Sequence, residues 1–126
     1  MDSSANRILV IDDDTELCEL LKDYLKLEGF EVEAVYNAGI GVQRALSGEH
    51  VLVVLDVMLP DVDGWELLGR LQEHPHTRTV PVIVCSILPE EQLAASLGAA
   101  SFLRKPISRQ DFLAALDRQV GPLSPE

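Results

Sequence analysis

Several short apolar runs of this chain are followed by residues that can bind cations or phosphate. Those residues are Asp12 with Asp13, Asp56, Ser86, and Arg104 with Lys105. Three carboxylates that fold close together repel one another and therefore need a cation. Ligation by oxygen with partial hydration suits Mg²⁺, which in turn suits phosphate. The set therefore predicts a magnesium site that handles a phosphoryl group.

Each residue type in this set suits a different role in such a site. A lysine ammonium, here Lys105, pairs with a phosphoryl oxygen as a point charge. The hydroxyl of Ser86 can donate a hydrogen bond to a second oxygen, and amides of the loop after Asp56 can serve the third. A carboxylate then remains as the nucleophile, and Asp56 is the central one of the three.

The elements that must position these residues recur five times as a β-rich apolar run, a loop and a helical pattern. The predicted strands are Arg7–Ile11, Glu31–Val35, Val51–Leu55, Val80–Cys85 and Ser101–Leu103. The predicted helices cover about 15–27, 38–47, 64–73, 90–97 and 108–119. The second strand alternates polar and apolar residues, which is typical of a half-exposed edge strand. The third is continuously apolar, which indicates burial on both faces.

Alternating strands and helices imply parallel pairing with right-handed crossovers. We therefore predict an α/β fold, a doubly wound (βα)5 three-layer sandwich of the flavodoxin-like type with strand order 2-1-3-4-5. In this order the first, third, fourth and fifth strands are contiguous. All the chemically capable residues then meet at one edge of the sheet, beside the switch point where ligands bind in such folds.

Composition sets further limits. The 126 residues predict one domain over about 1–120, with 121–126 as a tail or the start of a linker. The net charge of −11 argues against nucleic-acid binding by this domain, because phosphate neutralisation needs Lys and Arg. The lack of a long apolar run or signal segment predicts a cytoplasmic protein without membrane contact. The two cysteines, Cys18 and Cys85, read as buried free thiols, and the three histidines as surface loop residues.

Taken together, the motifs resemble those of CheY-like response regulator receiver domains over nearly the whole chain. The segments that carry the resemblance are Ile8–Asp14 (ILVIDDD), Leu55–Gly64 (LDVMLPDVDG), Val82–Ser86 (VIVCS), Gly98-Ala99 and Phe102–Pro106 (FLRKP). Each motif is modest alone, but their order at the right strand ends is specific. The resemblance implies a phosphorylation-dependent signalling switch of a two-component system, not an enzyme beyond slow autodephosphorylation.

The resemblance also implies roles for individual residues. Asp56 would accept a phosphoryl group from a sensor histidine kinase or phosphotransfer protein. Asp13, Asp56 and the backbone carbonyl of Met58 would bind Mg²⁺, with Asp12 acting through water. Lys105 would clamp the phosphoryl group, and the peptide bond before Pro106 would be cis.

On phosphorylation, Ser86 would swing toward the phosphoryl group and Phe102 would follow inward. This would repack the face formed by helix 4, strand 5 and helix 5, for a downstream protein or an attached output domain.

Some positions depart from the family pattern. Ile87 replaces a small residue after the switch hydroxyl, so it would narrow access to Asp56. The apolar side chains of Met58 and Leu88 flank the expected acyl phosphate and predict its slow hydrolysis. The stretch from Ser86 to Lys105 is about one helical turn short, so helix 4 or its leading loop must be trimmed.

Two other functions compete with a phospho-receiver. An aspartate-nucleophile phosphohydrolase would place its nucleophile on strand 1, at Asp12. A receiver-like docking module would carry no phosphoryl group at all. The complete set of Asp13, Asp56 and Lys105 argues against the docking module, whereas Ile87 favours it.

Overall fold

The structure is a computed structural model, and it describes residues 6–60 and 62–120. Its strands are β1 (Arg7–Ile11), β2 (Glu31–Val35), β3 (Leu52–Asp56), β4 (Val82–Ser86) and β5 (Ser101–Arg104). Its helices are α1 (Thr15–Leu27), α2 (Ala38–Ser47), α3 (Gly64–Glu73), α4 (Glu91–Ser96) and α5 (Arg109–Val120). The predicted tail, 121–126, lies outside the described residues. None of the helices within the described ranges is long and apolar enough to cross a membrane.

The five strands form one parallel sheet in the order β2-β1-β3-β4-β5, as predicted. Helices cover both faces because neighbouring residues of a strand point to opposite sides. One core joins alternate strand residues such as Ile8, Val54 and Cys85 to α1 and α5, and it includes the fully buried Phe112. The other core joins the intervening residues, such as Leu9, to α2, α3 and Ala94 of α4.

Local signals fix where the helices begin and end. Asp14 and Asn37 cap α1 and α2, because their side-chain oxygens accept hydrogen bonds from the amides of Leu17 and Ile40. Gly29 and Gly98 follow α1 and α4 with φ of 90° and 97°, a conformation that favours glycine. These boundaries agree with the predicted ones to within about a residue, and α4 has six residues.

One prediction about burial is wrong. His50 was expected at the surface, but its side chain is 2% exposed and its Nε2 lies 2.9 Å from Oε1 of Glu33. Arg44 of α2 also hydrogen-bonds Glu33. These contacts join β2, α2 and the loop after α2, and no pattern of neighbouring residues predicts them.

Candidate functional site

The carboxyl ends of β1, β3, β4 and β5 bring the predicted site residues to one edge of the sheet. Asp56 is the last residue of β3, and Asp12 and Asp13 directly follow β1. Asp12 and Asp56 are buried, whereas Asp13 is exposed. Carboxylate oxygens of the three aspartates all lie within 4.8 Å of one another. The sequence prediction that these side chains converge is therefore correct.

Lys105 connects the two buried carboxylates. Its Nζ lies 2.9 Å from Oδ2 of Asp12 and 3.1 Å from Oδ2 of Asp56. Asp12 follows β1, Asp56 ends β3 and Lys105 itself follows β5, so this one charged group links three strand ends. The peptide bond between Lys105 and Pro106 is cis, as expected.

The second oxygen of each buried carboxylate is held by a backbone amide. Met58 donates its N–H to Oδ1 of Asp56 at 2.8 Å, and Asp14 donates to Oδ1 of Asp12 at 2.9 Å. Both are contacts of a carboxylate with the amide two residues later, which orient the side chain within its own turn. Asp56 therefore presents its oxygens in fixed positions at the mouth of the site.

The electrostatics of this cluster are those of crowded, buried charge. Burial raises the pKa of Asp12 to about 6, and the nearby charge of Asp56 adds to the rise, against the hydrogen bonds from Asp14 and Lys105. Burial alone would lower the pKa of Lys105, but the hydrogen bond to Asp12 and the charges of both carboxylates raise it. Lys105 is thus cationic at neutral pH, and the cluster carries excess negative charge.

A divalent cation fits this donor set. Asp12, Asp13 and Asp56 offer oxygen ligands only, and their charge exceeds that of Lys105. Mg²⁺ favours carboxylate oxygens and retains several waters, which the exposed side of Asp13 accommodates. The two cysteines do not compete as ligands, because burial raises the pKa of both thiols, that of Cys18 to about 11.

Ser86 and Phe102 lie near the site but not within it. Ser86 ends β4 and is fully buried, and its Oγ accepts the N–H of Leu88 at 3.1 Å. No hydrogen bond among the described residues joins Ser86 to Asp56. Phe102 is half-buried against the core formed with α2 and α3.

The mouth of the site has an apolar rim. Met58, Ile87 and Leu88 are 47%, 56% and 44% exposed. A groove of about 470 Å³ adjoins this rim and is lined by residues of α1, Ile87 and the segment Lys105–Ile107.

One polar contact next to the site is not predicted by the sequence. Arg104, the last residue of β5, donates from Nε to the backbone carbonyl of Ile87 at 2.8 Å. The sequence marks Arg104 only as a charged residue after an apolar run, and a backbone acceptor 17 positions earlier leaves no motif.

Comparison with known proteins agrees with this geometry. The family model for the response regulator receiver domain matches residues 8–117. The transcriptional regulatory protein GltR of Pseudomonas aeruginosa is 37% identical over 120 residues, covering 92% of this chain and 49% of that protein. The CpxR homolog of Haemophilus influenzae is 36% identical over 114 residues, covering 88% of this chain and 48% of its own length. The chain thus spans about half the length of these curated relatives.

Solved structures show the same fold. A CheY-like receiver domain of Methanospirillum hungatei superposes with a TM-score of 0.83 at 29% identity, covering 91% of this chain and 93% of that one. A response regulator of Chloroflexus aurantiacus gives 0.85 at 25% identity, covering 91% and 97%. The chain belongs to the response regulator receiver family, whose members are phosphorylation-dependent signalling switches of two-component systems.

Proposed function

We propose that Asp56 is the phosphoryl acceptor of this receiver domain. The observation that carries the proposal is the contact of Lys105 with Asp56 and Asp12 at 3.1 and 2.9 Å, at the carboxyl edge of the sheet. The buried carboxylate of Asp56 has fixed oxygens, so it is positioned to attack a phosphorus atom. The ammonium of Lys105 beside it stabilises the negative charge of an incoming phosphoryl group. Asp56 is also the only one of the three carboxylates that ends a central strand.

The phosphodonor is a phosphohistidine of a sensor kinase or phosphotransfer protein. In the transfer, an oxygen of Asp56 forms a bond to phosphorus while the bond between phosphorus and the imidazole nitrogen breaks. The nitrogen leaves with the electron pair, and an acyl phosphate remains on Asp56. Lys105 moves from sharing its charge between two carboxylates to pairing with the phosphoryl oxygens.

Mg²⁺ would be held by Asp13, Asp56 and the carbonyl of Met58, with Asp12 contributing through water. When bound, it neutralises charge on the phosphoryl oxygens. Asp12 is buried, and it orients Lys105 by accepting a hydrogen bond from its Nζ.

The phosphorylated state would be read through the remaining predicted residues. Ser86 donates its hydroxyl to the phosphoryl group, Phe102 packs further inward, and the face of α4, β5 and α5 changes. The domain assignment, a receiver over 1–120 followed by a tail or linker at 121–126, leaves an attached output domain or a separate downstream protein as the recipient. The relatives named above are transcriptional regulatory proteins of about twice this length.

The test is chemical labelling of the purified chain. Acetyl phosphate with Mg²⁺ should add one phosphoryl group to the intact mass, and borohydride reduction followed by peptide mapping should locate it at Asp56. The variant Asp56→Asn should not label. Label at Asp12 would instead favour the phosphohydrolase alternative, and no label with acetyl phosphate or phosphoramidate would favour the docking module.

The apolar rim bears on how long the label persists. Met58 and Leu88 cannot orient an attacking water, and Ile87 restricts access to Asp56, so the acyl phosphate should hydrolyse slowly. The variant Met58→Asn supplies a polar group that positions water and should shorten the half-life. Decay of the wild-type label within seconds would refute this part of the proposal.

A further inference from the structure

The segment that follows β4 has few anchors. Ser86 is buried, but Ile87, Leu88 and Pro89 are all exposed, so their side chains contribute little packing. The backbone of 87–89 is held instead by hydrogen bonds. Within the described residues, the only side chain outside this segment and its neighbour Ser86 that bonds to it is Arg104.

Arg104 and Ser86 act on one peptide group. Nε of Arg104 donates to the carbonyl of Ile87 at 2.8 Å, and Oγ of Ser86 accepts the N–H of Leu88 at 3.1 Å. The carbonyl and this N–H belong to the same planar peptide unit, so they point in opposite directions and cannot turn independently. Fixing the carbonyl therefore fixes the direction in which the N–H meets Ser86.

We propose that Arg104 is a positioning residue that latches the peptide between Ile87 and Leu88 and thereby keeps the hydroxyl of Ser86 away from Asp56. The inference rests on the proposed function, in which Ser86 must turn toward the phosphoryl group. To do so, its Oγ leaves the N–H of Leu88, and that peptide must rotate to find another acceptor. Rotation breaks the bond to Arg104, so the bond favours the unphosphorylated arrangement.

The sign of the effect separates a latch from an attractive charge. A contact made only in one state stabilises that state, so its loss shifts the equilibrium toward the other. The variant Arg104→Met, which keeps an apolar stem, should bind beryllofluoride with Mg²⁺ roughly threefold tighter, as expected for loss of one solvent-exposed hydrogen bond. A guanidinium that merely attracted the anionic ligand would give weaker binding in Arg104→Met.

Calorimetric titration with beryllofluoride is the assay, and Arg118→Met is the matched control. Arg118 is an exposed arginine of α5, so its replacement changes the net charge equally without touching the loop. Arg104→Lys retains the charge and should fall between wild type and Arg104→Met. Equal or weaker binding by Arg104→Met would overturn the latch.

Amide exchange of Leu88 in the ligand-free protein gives an independent readout. Loss of the latch should speed this exchange in Arg104→Met and leave it unchanged in Arg118→Met, with the urea midpoint of both variants near that of wild type. If wild type fails to bind beryllofluoride, the proposed function fails. If wild type binds but neither its affinity nor the Leu88 exchange responds to Arg104→Met, only the latch fails.

Discussion

Gly64 offers a sharp test of how the loop after Asp56 is held. It is the first residue of α3, and a Cβ built on it would lie 2.2 Å from Cα of Val57 and 2.4 Å from the carbonyl oxygen of Val57. Ordinary contacts of a Cβ lie at 3.4–4 Å. The atoms in the way are backbone, which no rotamer change can move, so Gly64→Ala must separate the loop from the helix by roughly 1 Å or more.

The displaced segment includes the groups that orient Asp56. Met58 donates its N–H to Asp56 at 2.8 Å, and its carbonyl is the proposed magnesium ligand. Sites of this kind require their groups to stay within about 0.5 Å of the productive geometry. We therefore expect Gly64→Ala to lose about 1–3 kcal/mol of folding free energy, the range for overpacking. Its Mg²⁺ affinity should fall roughly 10-fold or more, as for lost support of a metal ligand.

Gly69 provides the control within the same helix. A Cβ at this position meets nothing within 4 Å. Gly69→Ala should therefore raise the free energy of unfolding by about 0.5–1 kcal/mol, because alanine loses less backbone entropy than glycine when a helix forms. Urea denaturation and calorimetric Mg²⁺ titration measure both variants. If Gly64→Ala matches wild type in stability and affinity, the close approach of the loop to α3 is not what positions Asp56.

Further predictions concern protonation and a buried hydroxyl. Burial raises the pKa of Asp12 to about 6, so its carboxylate becomes protonated as the pH falls. The apparent Mg²⁺ affinity should therefore drop roughly 10-fold between pH 7 and pH 5. An affinity that does not change with pH would contradict this prediction. For Glu33, burial alone would raise the pKa, but hydrogen bonds from Arg44 and His50 lower it below its usual value. The ionised carboxylate of Glu33 therefore stabilises the fold above the pKa of the unfolded state, and this stabilisation is lost as the pH falls through the lower pKa of the folded state. The stability of Glu33→Gln should accordingly depend less on pH on the acid side. Thr77 is buried and donates its hydroxyl to the carbonyl of Leu71 at 2.7 Å, so Thr77→Val should cost about 1–3 kcal/mol in urea denaturation, whereas Thr77→Ser should cost less.

The strand order and the converging carboxylates could be predicted because continuous apolar runs mark buried parallel strands. Asp12 and Asp56 directly follow such runs, and Asp13 and Lys105 come one residue later, so their meeting at one edge is a consequence of topology. Boundaries were less certain: β4 begins at Val82, after Pro81, rather than at Val80.

Contacts formed by distant polar residues were not predictable in the same way. The burial of His50 depends on Glu33 of the edge strand, and the buried Thr77 is satisfied by a backbone carbonyl. Arg104 likewise finds the carbonyl of Ile87. Backbone acceptors are present at every position, so their partners leave no residue pattern that a sequence could display.

The end of β5 carries two neighbouring residues of the proposed switch, Arg104 and Lys105. The amide of Lys105 donates to the carbonyl of Ser86 at 2.8 Å, its ammonium contacts Asp56, and the side chain before it holds the carbonyl of Ile87. In the proposed switch, Lys105 turns to the phosphoryl group while the bond from the adjacent Arg104 breaks and Ser86 moves. Under this proposal the change passes between neighbouring strand ends through contacts that include no residue of α4. A receiver with a six-residue α4 can therefore still couple its acceptor to β5 and α5, and we expect its output surface to centre on those two elements.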